Sequence, residues 1–300
     1  MSANATNMQA SPFASSRRSG NRFKNSLFTA LVWTVGILAI VLIVGLLFLI
    51  LKKGMPSLTF DFLIGLPDEI MEGGGIGPAL FNSFYVLIIS LAISIPLGMA
   101  AGIYLAEFAP DNKFISFVRV CVEGLASVPS IIFGLFGIVI FVETFDVGLT
   151  IIGGAVSLAF LNLPVLTRVT EEALRAVPQE MKQASFALGG THLQTIRRVL
   201  IPVALNGIIT GICLVAGRAF GESAVIILTA GVTTSGTMWD FNLFSPGETL
   251  AVHLWYVQSE AIVPDATEIA EKSAAVLVFI VLLLNVLFRI PLWLNARKLK

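Results

Sequence analysis

Residues 81–106 read FNSFYVLIISLAISIPLGMAAGIYLA, a stretch without a single charge. A helix needs about 20 such residues to cross the roughly 30 Å apolar core of a bilayer. The stretch is therefore expected to span a membrane as a helix. Five more segments of the 300-residue chain qualify: about 27–51, 116–142, 149–167, 201–230 and 274–294. Composition agrees. Hydrophobic residues make up 56% and charged residues 13%, against about a quarter charged in a soluble domain. The expected class is an all-α, polytopic membrane protein with six transmembrane helices, solvated by membrane lipid.

Net charge is zero. No basic field is present to attract nucleic acid, so none is expected as a partner. Charge is informative by position instead. Arg17, Arg18, Arg22 and Lys24 precede the first span. Lys113 follows the second, and Arg168, Arg175, Lys182, Arg197 and Arg198 lie between the fourth and fifth. Arg289, Arg297, Lys298 and Lys300 close the chain. With six spans these regions share one side, and the alternate loops are poor in lysine and arginine; Lys52-Lys53 runs against the pattern. The positive-inside rule then puts both termini in the cytoplasm of a cell (plasma or inner) membrane protein.

Residues 1–26 are rich in Ser and Asn and are expected to be a disordered tail. Arg17-Arg18 does not read as part of an export signal. The uncharged run of 27–51 is too long for a signal's apolar core and has no A-x-A site after it. Cys121 and Cys213 lie in apolar surroundings and read as small buried hydrophobes. His192 and His253 show no metal-ligand spacing, and no cofactor-binding motif is present. Pro96, Pro129 and Pro164 are expected to kink or break helices. Gly98/Gly102, Gly207/Gly211 and Gly217/Gly221 are small-xxx-small pairs, which let helices approach closely in lipid.

The longest basic segment, 168–202, reads RVTEEALRAVPQEMKQASFALGGTHLQTIRRVLIP. Pro178 suits a helix start. Met181, Ala184, Ser185 and Leu188 fall on one face. Gly189-Gly190 stops that helix. Thr191 and Gln194 have capping-box spacing for the next. Such a hairpin either docks into another protein's groove or lies on the lipid surface; the residues alone favour neither.

This segment resembles the EAA loop of ABC-importer permeases. Gln183-Ala184-Ser185 stands at E-A-A, Gly189 at the glycine nine residues before the closing motif, and Val199-Leu200-Ile201-Pro202 at that motif. Glutamine replaces the glutamate and serine the second alanine. The resemblance implies a coupling segment at 168–202 in which Gln183, Ala184, Ser185, Gly189, Gly190 and Pro202 serve docking to a separate ATPase. The chain itself has no G-x-x-x-x-G-K-[ST] loop. ATP and Mg²⁺ are accordingly expected in a partner, with no cofactor, metal or catalytic residue in this chain.

The resemblance runs further. GGGIGPALFNSFYVLIISLAISIPLGMAAGIYLAEFAP, EGLASVPSIIFGLFGIVIFV and NGIITGICLVAGRAFGESAVIILTAG are similar to phosphate-specific importer permeases, more to the A-type subunit than to the C-type. It covers about residues 70–295. It implies the type I ABC importer permease fold, and a transport subunit rather than an enzyme. The chain would form half of the translocation pathway of an ATP-driven phosphate importer. The partners implied are a homologous C-type permease, two ATPase subunits and an extracytoplasmic phosphate-binding protein.

Arg218 and Glu222 are the only charges in the fifth span. A charge at mid-bilayer costs about 2.5–3.5 kcal/mol on insertion scales. Positions i and i+4 share a helical face, so an intrahelical ion pair that packs the bundle is one reading. The other is an anion path, because a guanidinium presents a planar fork of donors to a tetrahedral oxyanion. The resemblance favours the path, with Glu222 holding Arg218 when no ion is present. Glu107 and Glu123 are expected to pair with Lys113 or Arg119 at the interface. The alternatives are a permease for another oxyanion, sulfate or molybdate, and an ion channel.

Overall fold

The computed structural model describes residues 13–68, 72–260 and 263–298, with side chains over 24–290 of these. All regular structure among the described residues is helical. Helix α1 runs Phe13–Gly54, α2 Phe60–Ile64, α3 Gly77–Ile103, α4 Lys113–Ala126, α5 Ser130–Gly137 and α6 Ile151–Arg175. Then follow α7 Gln179–Ala187, α8 His192–Thr195, α9 Ile201–Phe220, α10 Ala224–Thr229, α11 Leu250–Ser259 and α12 Ala266–Lys298. Among the described residues, five helical stretches are long and apolar enough to cross a membrane: Lys24–Gly54, Gly77–Phe108, Ile151–Arg175, His192–Phe220 and Ala266–Ile290. Lys113–Ala126 with Ser130–Thr144 makes a sixth only if the bent pair counts as one.

The chain divides into residues 1–52 and 53–300. The first unit is essentially α1, with a mean hydropathy of 3.1 over an 18-residue window of Lys24–Gly54. Leu27, Trp33, Leu38, Val41 and Phe48 all stand exposed around it. A helix apolar on every side belongs in lipid. It begins at Phe13, inside the segment expected to be disordered; residues 1–12 of that segment lie outside the described residues.

The second unit is a bundle organised on α6, which buries Ile151, Ala155, Leu158, Leu161 and Leu166. Lipid gives helices no hydrophobic reason to associate, so close van der Waals packing must do it. Glycine provides the room. A Cβ on Gly98 would come within 2.7 Å of Leu166, and one on Gly102 within 2.6 Å of Thr170. A Cβ on Gly207 would reach 2.8 Å from Ala173, and Gly211 lies against Val169. Two of the three expected glycine pairs thus seat α3 and α9 on α6. In the third, Gly217 faces Asn285 of α12, while Gly221 has only its own helix nearby. These registers make α3 parallel to α6 and α9 antiparallel to both.

The expected third span is the largest departure. At 127–129 it breaks into α4 and α5 with a 93° bend. Pro129 has no N–H to give and disfavours helix at the residue before it. Ser127 Oγ donates to the Gly124 carbonyl at 2.7 Å and closes the turn. Pro96 and Pro164, by contrast, sit inside continuous helices. The expected fourth span runs on to Arg175, so the start of the 168–202 segment is membrane helix. The expected fifth span ends early, at Phe220, before resuming as α10. The sixth starts earlier, at Ala266, with Asp265 ahead of it accepting from the Ile269 amide through its carbonyl at 3.0 Å. Lys53, the exception to the charge pattern, is matched by Glu271 at 2.7 Å. Cys121 is exposed on α4, against expectation; Cys213 is buried.

Candidate functional site

Two groups of residues carry the expected chemistry. The first is the hairpin that joins α6 to α9. Pro178 precedes α7 as expected. Gly189 takes φ +80°, a left-handed backbone that favours glycine. Gly190 donates its amide to the Ser185 carbonyl at 3.0 Å. Thr191 and Gln194 form the capping box reciprocally, at 3.3 and 3.0 Å. Ser185 and Thr195 share a hydroxyl hydrogen bond of 2.9 Å across the turn. Serine at the second alanine position therefore does a structural job: it ties the two arms together.

The hairpin's apolar face is bare. Met181, Ala184, Ser185, Leu188, Gly189 and Gln194 line an open depression, with Leu188 90% exposed and Leu193 70% exposed. Gln183 and Pro202 are exposed as well. Small side chains floor the groove and Leu188 rims it. That shape suits a protein partner better than water.

Glu107 anchors this hairpin, and neither Lys113 nor Arg119 is its partner. It lies in the π-helical turn 104–108 that extends α3, with its side chain 7% exposed. Its Oε2 accepts from Lys182 Nζ at 2.5 Å and meets His192 Nε2 at 3.1 Å. One buried carboxylate thus holds both arms of the hairpin to the end of a membrane helix. Glu123 pairs with Arg168 at 2.6 Å, and Arg119 pairs with Glu171 at 2.7 Å, so α4 is also fastened to α6. Sequence spacing could not show these partners, which lie 45 to 85 residues away. Glu107→Gln keeps the shape and removes the charge. It is expected to weaken the anchor by about 2 kcal/mol. Hydrogen exchange at 182–195 would then quicken about 30-fold.

The second group is Arg218 and Glu222. The i,i+4 argument fails because α9 ends between them. Gly221 and Glu222 donate their amides three residues back, to Arg218 and Ala219 carbonyls at 3.2 and 3.4 Å. Such bonds tighten and close a last turn. Glu222 Oε1 instead accepts from the Val225 amide at 3.4 Å, at the start of α10. Among the described residues no carboxylate lies within 4 Å of the Arg218 guanidinium, which is exposed. Gly207 sits opposite Ala173 and Gly211 opposite Val169; the same antiparallel register puts residue 218 about level with 162, midway along α6. The break at 221–223 is therefore at mid-depth. Non-helical backbone is tolerated there only within protein or along a water-filled cavity. Arg289 of α12, counted above only as a terminal charge, is a second exposed guanidinium further toward the hairpin end. Gly217 meets Asn285, one turn before it.

At the opposite end the 231–249 segment caps the bundle. Phe81 meets Trp239 and Phe241 edge-on at 5.4 and 5.0 Å. Asp240 accepts from the Asn242 amide at 2.8 Å, and that bond holds its carboxyl below the usual range.

Residues 94–300 match the family described as binding-protein-dependent transport system inner membrane component. The chain belongs to that family. It is 46% identical over 265 residues to the probable ABC transporter permease protein YqgI of Bacillus subtilis (strain 168), covering 85% of this chain and 89% of that one. It is 35% identical to the phosphate transport system permease protein PstA of Xylella fastidiosa (strain 9a5c), over 66% and 68% of the two chains. The PstA of Haemophilus influenzae is 31% identical over 89% and 93%. Among solved structures, an inward-facing MetNI methionine ABC transporter superposes with a TM-score of 0.52. It is 23% identical, and the match covers 71% of this chain and 91% of that one. A bacterial ABC transporter for import of the acidic polysaccharide alginate gives 0.59 at 14% identity, over 91% and 98%. At those identities the likeness is one of fold. The permease is a membrane-embedded transport subunit rather than an enzyme; its ATPase is a separate subunit.

Proposed function

We propose that the permease carries inorganic phosphate inward, that Arg218 contacts the ion, and that the 178–200 hairpin couples the pathway to the ATPase. The observation that carries this is the guanidinium of Arg218: exposed, without a carboxylate partner among the described residues, and at mid-depth beside a break in the helix. A desolvated cation with no counter-ion is costly in a membrane; a transported anion supplies that counter-ion transiently. Glu222, on the far side of the break, keeps the local charge balanced so that the ion can leave. The printed names of the relatives favour phosphate among oxyanions, and the A-type subunit.

In this reading one chain forms half of the pathway and a homologous C-type permease forms the other. Two ATPase subunits, which bind ATP and Mg²⁺, grip the hairpin through Gln183, Ala184, Ser185, Gly189 and Gly190, with Pro202 starting the helix behind them. An extracytoplasmic phosphate-binding protein delivers the ion to the opposite end. Both termini and the hairpin then face the cytoplasm. ATP-dependent uptake into vesicles containing the whole complex tests the substrate. Labelled phosphate is expected to accumulate, unaffected by tenfold excess of sulfate or molybdate. Sulfate or molybdate uptake in its place would transfer the account to that oxyanion.

A further inference from the structure

The cap at the end remote from the hairpin contains a cavity whose lining includes neither Arg218 nor Glu222. It measures about 190 Å³ and opens between residues 67–68, 74–75 and 232–234 and α11. Its innermost groups are Glu248 and His253, whose side chains are 4% and 7% exposed. Glu248 is rigidly set. Its amide donates to the Thr233 carbonyl at 3.1 Å, and its carbonyl accepts from Asn82 Nδ2 at 3.2 Å. Two residues on, the Leu250 amide donates to Ser83 Oγ at 2.7 Å. Two neighbouring α3 side chains thus clamp the backbone that presents this carboxylate.

Glu248 Oε1 meets His253 Nδ1 at 3.0 Å. A carboxylate oxygen accepts, so Nδ1 carries the hydrogen, and in the neutral ring Nε2 is left as an acceptor. Glu248 and His253 both line this cavity, and Glu248 Oε2 and His253 Nε2 are buried without a hydrogen-bond partner among the described residues. Unpaired buried acceptors call for a donor. Asp68 and Glu260 add further negative charge to the lining, and Tyr256 and Thr233 add hydroxyls. Among the described lining residues none is a lysine or arginine. An anion is disfavoured there. A metal held by three protein groups is disfavoured too, since no such group of ligands occurs among the described residues.

We propose that the Glu248–His253 cavity binds a compact N–H-bearing cation, an ammonium or guanidinium head group, which donates to Glu248 Oε2 and His253 Nε2. The guanidinium or ammonium comes either from a free solute or from an arginine or lysine side chain of an extracytoplasmic partner. The inference is independent of which anion the permease carries. Among the described residues, the other ionisable groups of the lining are Asp68, Tyr256 of α11 and Glu260 just after it; α12 presents Ile269.

The test titrates methylguanidinium and methylammonium chloride into the full-length permease purified with its transporter partners, with calorimetry and ¹⁵N-histidine spectra as readouts. The chain has two histidines, so the His253 signal is assignable by difference from His192. Saturable binding is expected, with a shift at His253 Nε2. Glu248→Gln is expected to weaken binding at least about tenfold. Glu260→Gln, at an exposed position, leaves the fold untouched and is expected to weaken it by a smaller factor, which guards against a folding defect in the first variant. Adding the extracytoplasmic binding protein separates the sources: competition assigns the head group to that partner's side chain, and undiminished binding assigns it to a free cation. Absence of saturable binding by either probe overturns the proposal, as does binding that both variants leave unchanged, or a His253 shift produced by inorganic phosphate instead.

Discussion

Leu188→Asp is expected to weaken capture of the ATPase by at least about 100-fold while the membrane helices stay folded. Leu188 is 90% exposed at the tip of the 178–200 hairpin, so within this chain it stabilises nothing that an aspartate would lose. In a partner's groove the leucine contributes about 2 kcal/mol by burial, and an aspartate there adds an unpaired charge to the loss. Together they exceed the 2.8 kcal/mol or so that separates a hundredfold in affinity. Glu180→Gln, at an exposed position on the same short helix, is expected to change little. Co-purification with the ATPase measures the difference. Unchanged thermal stability of both variants in detergent shows that the effect lies at the docking face. Normal ATPase capture by Leu188→Asp would move the contact elsewhere on the hairpin.

Arg218→Gln is expected to cut phosphate uptake at least about 30-fold with assembly intact. Losing one partner of a desolvated, hydrogen-bonded charge pair costs about 2–5 kcal/mol, and 1.4 kcal/mol is a factor of ten. Arg218→Lys is expected to recover only part of the rate, because an ammonium cannot present the planar, two-pronged donor set. The structure separates this from a packing role. The Arg218 side chain is exposed and meets no carboxylate, so its removal breaks no ion pair among the described residues. Glu222→Gln is expected to be milder, since its one described contact is a 3.4 Å hydrogen bond from the Val225 amide.

Much of the architecture was legible in the amino-acid sequence because lipid enforces simple rules. Apolar runs of span length marked α1, α3, α6, α9 and α12, and the hairpin announced itself through Pro178, Gly189-Gly190 and the Thr191–Gln194 box. The breaks were less legible. Pro129 snaps its helix while Pro96 and Pro164 do not, and local sequence does not say which proline the surrounding packing will absorb. The pairing of Arg218 with Glu222 was inferred from helical spacing and lost when α9 closed at Gly221. Glycines 217 and 221 were a signal for that closure, though they read equally as packing residues. Glu107, Lys182 and His192 meet only because α3 ends beside the hairpin. Glu248 and His253 stand five residues apart with no ligand spacing; what makes them a pair is the clamp from Asn82 and Ser83, far away in sequence.

The central claim is that residue 218 lines the phosphate path. Its most direct measurement is the rate at which a hydrophilic methanethiosulfonate modifies an introduced thiol, in an Arg218→Cys variant with Cys121 and Cys213 replaced by alanine. The complex in vesicles would be assayed during ATP turnover, with and without phosphate. The account predicts ready modification that phosphate slows and sulfate does not. A thiol that the reagent never reaches, or one modified at the same rate whether or not phosphate is present, would contradict it.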